Sequence, residues 1–226
     1  MTQPDGDRSR LVVGVSGSSA PQLAVRFLEL ARELQSFETH VVMSEGARRS
    51  IELELRRDPD EVAALGDVVY DPRDLGAAIS SGSFHTVGMV IIPCSMRTLA
   101  AVATGNSDNL VARAADVTLK ERRRLVLVAR ETPLNLIHIE NMRTVTLAGG
   151  TILPPVMAFY HQPESISDLL SQTCGKVIDQ FGFANSTFRR WGEQSARSRS
   201  TESRGMVNAR PAIQGGNDGH YQAGRG

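Results

Sequence analysis

The chain is written as short apolar runs, each closed by a polar turn and followed by apolar residues at a helical period. Leu11-Val12-Val13-Gly14-Val15 precedes Ser16-Gly17-Ser18-Ser19, after which Leu23, Phe27, Leu28, Ala31 and Leu34 return with the spacing of one helix face. The pattern recurs at His40-Val41-Val42-Met43 before Ser44, at Met89-Val90-Ile91-Ile92 before Pro93-Cys94-Ser95, and at Leu125-Val126-Leu127-Val128 before Ala129-Arg130. Runs that are apolar at every position suit strands buried on both faces, as in a parallel sheet covered by helices. The expected fold is therefore α/β: a three-layer α/β/α sandwich with a mainly parallel sheet, Rossmann-like or flavodoxin-like, in a single domain. Val68-Val69-Tyr70 and Thr151-Ile152-Leu153 add two candidate strands, and a helix is expected from Ile166 to about Phe181. No internal repeat is visible.

A length of 226 residues suits one sizeable core. From Ser195 onward Ser, Arg, Gly, Asn and Gln dominate, a composition too poor in bulky apolar groups to offset the entropy of ordering. The expected organisation is a flexible N-terminus over 1–9, a domain over 10–194 and a disordered tail over 195–226.

Charge narrows the function. Lys+Arg and Asp+Glu both total 25, so there is no overall basic field to gather nucleic acid or anionic lipid, and phosphate binding has to be local. Cys94 and Cys174 form no C-x-x-C pair, which argues against a disulfide scaffold and a thiolate metal site. No His/Asp/Glu set has metal spacing, so no metal is expected. The N-terminal residues are polar, without the core of a signal peptide, and no apolar run approaches the roughly 20 residues of a membrane span. A cytoplasmic protein is expected.

In open parallel sheets ligands bind beyond the carboxyl ends of the strands, where helix N-termini point their N–H groups inward. Ser16, Ser44, Ser95 and Arg130 each follow a predicted strand and should line one rim, a setting for a phosphorylated cofactor such as a flavin. Gly14-Val15-Ser16-Gly17 makes a tight turn but is not G-x-G-x-x-G and lacks the acidic residue of a dinucleotide site. Each serine alone reads equally as a helix N-cap; four together favour a ligand.

Asn109 offers another cap, after which Arg113, Asp116 and Lys120 share one helical face. Spacing alone favours a solvated face with Asp116 and Lys120 paired. Arg122-Arg123-Arg124 complements a helix C-terminus. Arg130-Glu131 places a guanidinium and a carboxylate side by side at the rim. His138 reads as a hydrogen-bonded structural residue, and Tyr160 sits in an aromatic turn.

Pro93-Cys94-Ser95-Met96-Arg97-Thr98-Leu99, Asn109-Leu110 through Arg113-Ala114-Ala115-Asp116-Val117, Leu119-Lys120-Glu121-Arg122-Arg123, Ile137-His138-Ile139-Glu140-Asn141-Met142, Phe159-Tyr160-His161-Gln162-Pro163 and Arg190-Trp191-Gly192-Glu193-Gln194 together resemble the UbiX-type flavin prenyltransferases, in register from about Leu11 to Gln194. The resemblance implies an enzyme that joins a dimethylallyl group, delivered as dimethylallyl monophosphate, to N5 and C6 of reduced FMN. The product, prenylated FMN, would serve a UbiD-type decarboxylase.

By that resemblance Gly14, Val15, Ser16, Ser44, Ser95, Met96, Arg97, Thr98 and Arg130 contact FMN. Arg113, Lys120, Arg130, Glu131, Tyr160 and Lys176 surround the prenyl phosphate, and Trp191 helps to enclose the prenyl chain. Ser16, Glu54, Lys120 and Glu131 carry the chemistry: Lys and Arg donors stabilise the leaving phosphate without a metal, and Glu54, Ser16 or the departed phosphate accepts the proton lost on ring closure. The family also implies a homo-oligomer, up to a dodecamer, with sites between subunits to which Tyr160 and Lys176 come from a neighbour.

The chain departs from the family at Lys176 for a common Arg, Glu45 for a frequent Lys, Ala129 for Pro, and Ser18-Ser19-Ala20-Pro21 near the flavin. Two other readings stay open: an FMN-dependent cysteine-type decarboxylase of the same fold, and a non-catalytic flavin-carrying subunit of an aromatic-acid decarboxylase. Lys120 and Arg130-Glu131 suit a phosphate better than a peptide thiol, and a carrier would need only the FMN contacts.

Overall fold

A computed structural model describes residues 8–192. Its first half runs β1 (Ser9–Val15), α1 (Gln22–Leu34), β2 (Phe37–Met43), α2 (Glu45–Ser50), α3 (Pro59–Ala63) and β3 (Val68–Tyr70). The second half runs β4 (Gly88–Cys94), α4 (Met96–Thr104), α5 (Leu110–Lys120), β5 (Arg124–Ala129), α6 (Leu136–Leu147), β6 (Thr151–Ile152) and α7 (Ile166–Gln180). A π-helical turn, Ile51–Leu55, continues α2.

All neighbouring strands are parallel, in the order β3-β2-β1-β4-β5-β6. The chain winds outward from β1 to one edge and from β4 to the other, so the winding reverses between β1 and β4. In a doubly wound sheet that reversal opens a crevice at the carboxyl edge, because the loops leaving the two strands turn to opposite faces.

Alternation along each strand splits the core in two. Leu11, Val13 and Val15 of β1 join Val90, Ile92, Val126 and Val128 beneath α1 and α7, with Phe27, Leu28 and Cys174. Val12 joins Met89, Ile91, Leu125 and Leu127 on the opposite face, under Leu99 of α4 and Leu110, Val111 and Ala115 of α5. The three layers expected from the apolar runs are present.

Several boundaries differ from the periodicity. β2 begins at Phe37 rather than His40, because Thr39 is held inside by Asp67, whose carboxylate accepts from Thr39 N and Oγ1 at 2.8 Å. β4 extends through Pro93 to Cys94; proline has no amide hydrogen, and pairing with β5 shifts between Ile91 and Cys94. Ser9 already lies in β1, and Arg8 is ion-paired with Asp67 at 2.9 Å.

All these elements belong to one compact unit, Met1–Arg189; a second unit spans Arg190–Gly226. The tail expected over 195–226 and residues 1–7 lie outside the described residues.

Candidate functional site

Ser16, the first residue past β1, is the link across the winding reversal. It is 1% exposed. Its N–H and hydroxyl both donate to the Pro93 carbonyl, at 3.2 and 3.1 Å, and its hydroxyl oxygen accepts from Ser95 N–H at 2.8 Å. Ser95 in turn caps α4: its hydroxyl oxygen accepts from Thr98 N at 3.3 Å. Ser44 caps α2 in the same way, accepting from Ala47 N at 3.2 Å. Two of the four rim residues are thus helix caps as well as rim residues, and one requirement does not exclude the other.

Above this base lies an open cleft of about 900 Å³ at the carboxyl edge. Gly17, Ser44, Glu45, Gly46, Arg73 and the α4 N-terminal residues Ser95, Met96, Arg97 and Thr98 line it, with Asp108, Asn109 and Glu131 among the others. The loop after β1 and the first turn of α2 meet backbone to backbone at its wall: a Cβ on Gly17 would sit 2.7 Å from the Gly46 carbonyl carbon. Glycine at 17 is set by that contact.

Glu54 comes to the loop after β1 from the π-helical turn. Its Oε2 accepts from Ser19 Oγ at 3.0 Å and from Ala20 N at 3.1 Å. Ser18 Oγ donates to the Arg130 carbonyl at 3.0 Å, and Arg130 N–H donates to the Cys94 carbonyl at 3.1 Å, so the start of the Arg130-Glu131 segment is pinned to both neighbouring loops. Glu131 is exposed, and its Oε1 accepts from Thr132 N at 2.9 Å.

The remaining sequence candidates fall elsewhere. Gly14 and Val15 are buried inside β1; a Cβ on Gly14 would meet Met89 Cε at 2.8 Å and Val111 Cγ1 at 3.2 Å, a packing reason for glycine. Arg113 pairs with Asp116 at 2.7 Å, and Lys120 pairs with Glu121, so the expected Asp116–Lys120 pair does not form. Asp116 lies one turn beyond Arg113, within easy reach of its guanidinium, while Glu121 is adjacent to Lys120 at the helix end. α5 runs from the cleft, where Asn109 caps it, toward the amino edge. Lys120 is therefore about 16 Å along the helix from that cap, next to Arg123, which bonds the Phe84 carbonyl ahead of β4. Lys176 is exposed on α7, ten residues past its first residue, Ile166. Tyr160 lies in the loop beyond β6 against buried His161, with ring centroids 5.6 Å apart, and does not line the cleft. Trp191 belongs to the second unit. His138 has the structural role expected of it, completing a capping box with Asn135.

Arg73 and Gly46 were missed from sequence. Arg73 sits in an irregular loop after β3, where no period points to a ligand, and Gly46 lies in a helix first turn.

Burial pushes the Cys94 thiol well above its ordinary range and Cys174 up to about 12, so neither is a thiolate nucleophile near neutral pH. Among the described residues no group of three or more His, Cys, Asp or Glu side chains could hold a metal ion.

A doubly wound parallel sheet with a polar-capped cleft at its reversal defines a flavoprotein-type α/β protein, and the family model described as Flavoprotein matches residues 2–177. The flavin prenyltransferase UbiX of Escherichia coli (strain K12) is 50% identical over 184 residues, 80% of this chain and 97% of that one. The chain belongs to the UbiX-type flavin prenyltransferase family.

Two solved structures agree. A complex of AnUbiX (PadA1) with FMN and dimethylallyl pyrophosphate shares 48% identity at a TM-score of 0.80, covering 82% of this chain and 98% of that one. A dodecameric FMN-dependent Ubix-like decarboxylase from Escherichia coli O157:H7 shares 48% at 0.78, covering 80% and 98%. The peptidyl-cysteine decarboxylase EpiD, at 16% identity and a TM-score of 0.54, shares the fold alone.

Proposed function

We propose that this enzyme transfers the dimethylallyl group of dimethylallyl monophosphate to N5 and C6 of reduced FMN, and that the prenylated FMN serves a UbiD-type decarboxylase. The observation that carries the reading is the cleft at the β1/β4 reversal, where Ser44, Ser95, Met96, Arg97, Thr98 and Glu131 stand together. Its volume, about 900 Å³, lies within the usual range for small-molecule sites.

Reduced FMN supplies the nucleophilic N5 and the ring carbon that closes the new ring. The chain does the rest. The α4 N-terminus presents N–H groups and a positive dipole end to an anionic group. Glu54 and Ser16 would hold or accept the proton released on ring closure, and their positions are fixed by the bonds of Glu54 to Ser19 and Ala20 and of Ser16 to Pro93. Arg130 supplies a charge-assisted donor to the leaving phosphate, with Glu131 beside it.

Lys120 lies on a helix that leads away from its own cleft and Lys176 on one that does not line it, so both act in the cleft of another copy. Tyr160 has the same assignment to the prenyl donor. A homo-oligomer is required, and the dodecamer of the Escherichia coli O157:H7 protein is the assembly proposed. Its physical support is apolar: Leu136 and Ile137 of α6 are 71% and 69% exposed, and Phe159 beyond β6 is 67% exposed. No helix among the described residues is long and apolar enough to cross a membrane, and the cytoplasm is the proposed compartment.

The test is anaerobic incubation with reduced FMN and dimethylallyl monophosphate, with dimethylallyl pyrophosphate in parallel, followed by mass analysis of the released flavin. A prenylated flavin from the monophosphate is expected. Unmodified flavin from both donors would overturn the reading, and product from the pyrophosphate alone would reassign the donor.

A further inference from the structure

Arg73 and Glu45 face each other across one wall of the cleft, Nη2 to Oε1 at 2.7 Å, and no step derived above uses either. The charge around the cleft makes this pair significant. Two arginines, Arg73 and Arg97, line it against three carboxylates, Glu45, Asp108 and Glu131. Both arginines face acids: Arg97 stands 4.0 Å from Asp108, and Arg73 makes one contact with Glu45, Nη2 to Oε1. A cleft that is to take a phosphate monoester close to dianionic at neutral pH is thus lined, on balance, by negative side chains. An anion that is to gain a guanidinium from this lining, beyond the N–H groups of α4, takes it from a carboxylate.

Arg73 is the better placed to be taken. Its turn is rigid: Arg73 N–H donates to Asp71 Oδ1 at 2.9 Å, and the Pro72 carbonyl accepts from Leu110 N–H, at the start of α5, at 2.8 Å. The backbone is thereby held at the lip while the side chain, 78% exposed, is free to turn. Its partner Glu45 is also largely exposed, 65%, so the pair is solvent-screened and weak. A phosphate offers the same fork geometry as a carboxylate with more charge, and arginine pairs with it bidentately.

We propose that Arg73 recognises the phosphate end of the flavin and that Glu45 competes with that phosphate for the guanidinium, setting how tightly flavin is held. The proposal rests on the flavin reading above and adds a specificity pair to it. An enzyme whose modified flavin must leave gains from such a competitor, because the carboxylate re-forms its pair as the phosphate departs.

The experiment titrates the full chain with FMN and with riboflavin, which has the same ring system without the phosphate, and follows flavin fluorescence for wild type, Arg73→Gln and Glu45→Gln. Loss of a charge-assisted contact should weaken FMN about tenfold or more in Arg73→Gln, with riboflavin changed less than twofold. Glu45→Gln should tighten FMN by about two- to fivefold and leave riboflavin unchanged, and the gain should vanish in the double variant. Riboflavin binding also reports that each variant cleft is intact. Equal changes for the two flavins in Arg73→Gln, or no tightening in Glu45→Gln, would overturn the proposal while leaving the flavin reading in place. Binding of neither flavin by the wild type would overturn the flavin reading itself.

Discussion

The Ser16 hydroxyl accepts the Ser95 N–H at 2.8 Å and donates to the Pro93 carbonyl, tying the end of β1 to the end of β4 where the winding of the sheet reverses. Removing it leaves a backbone donor unpaired at the base of the cleft. Ser16→Ala should cost about 1–3 kcal/mol of stability, the usual penalty for such a group. Urea denaturation checks the cost; a loss below 0.5 kcal/mol, roughly the floor for a net hydrogen bond, would show that the base tolerates the gap.

Glu54 is held by Ser19 Oγ and Ala20 N, contacts that a glutamine oxygen can keep while losing the basic carboxylate. Glu54→Gln should therefore bind FMN within about twofold of wild type while forming product about a hundredfold more slowly, the low end of general-base contributions. Single-turnover formation of prenylated flavin measures this, and an unchanged rate removes Glu54 from the proton transfer.

The layers were legible because β1, β4, β5 and the end of β2 carry runs that are apolar on both faces, a pattern that few other settings tolerate. Ser44 and Ser95 were legible at the rim because a polar residue after such a strand has one place to go, whereas Ser16 and Arg130 are not among the residues that line the cleft. The contact of Ser16 with Pro93 was not, since the two residues are 77 apart and strand order follows from pairing across the whole chain. Periodicity placed Arg113, Asp116 and Lys120 on one helix face, but a period carries no information on which end of α5 reaches the cleft. The spacing also left the choice of ion pair open, and Arg113 took Asp116. Arg73 gave no signal, because its position depends on the Pro72 to Leu110 hydrogen bond between distant segments.

Gly17→Ala should be among the more damaging small substitutions in the cleft. The added Cβ would lie 2.7 Å from the Gly46 carbonyl carbon and 2.8 Å from its Cα, both backbone atoms that no side-chain rotation can clear. Forcing the loop and the first turn of α2 apart should cost about 1–3 kcal/mol, as overpacking does elsewhere, and weaken FMN binding. A variant with wild-type denaturation and wild-type FMN affinity would show that the two segments separate freely.

His40 gives the fold a pH dependence of its own. It is buried in β2 with Nδ1 2.8 Å from Tyr70 Oη, and its Nε2 is 3.2 Å from Glu38 Oε1 without the alignment of a hydrogen bond. Burial holds the imidazole below its ordinary 6.5; Glu38 opposes this and Arg10 adds to it. Between the folded and unfolded values the unfolded chain binds the extra proton, so stability falls as pH drops through 6.5 and levels off below the folded value. The melting temperature should fall from about pH 7.5 to about pH 5.5, and His40→Gln should flatten that slope. An identical slope in the variant would assign the dependence to other groups.

Lys120 tests the shared site. It sits beside Glu121 at the amino edge, the end of α5 opposite the cap that lines the cleft, so a single chain cannot bring it to its own Glu131 without unwinding the helix. Lys120→Met and Glu131→Gln should each abolish most product formation. Co-expressed in equal amounts, they should form mixed oligomers in which a cleft built from a Glu131-intact chain and a neighbour's intact Lys120 is wild type. Random mixing gives about a quarter of wild-type activity if one neighbour supplies the lysine across a symmetric interface. A site completed within one chain would give none, because each cleft would carry one defect or the other. Absence of recovery in co-purified mixed oligomers would place Lys120 outside the reaction or inside its own chain's site.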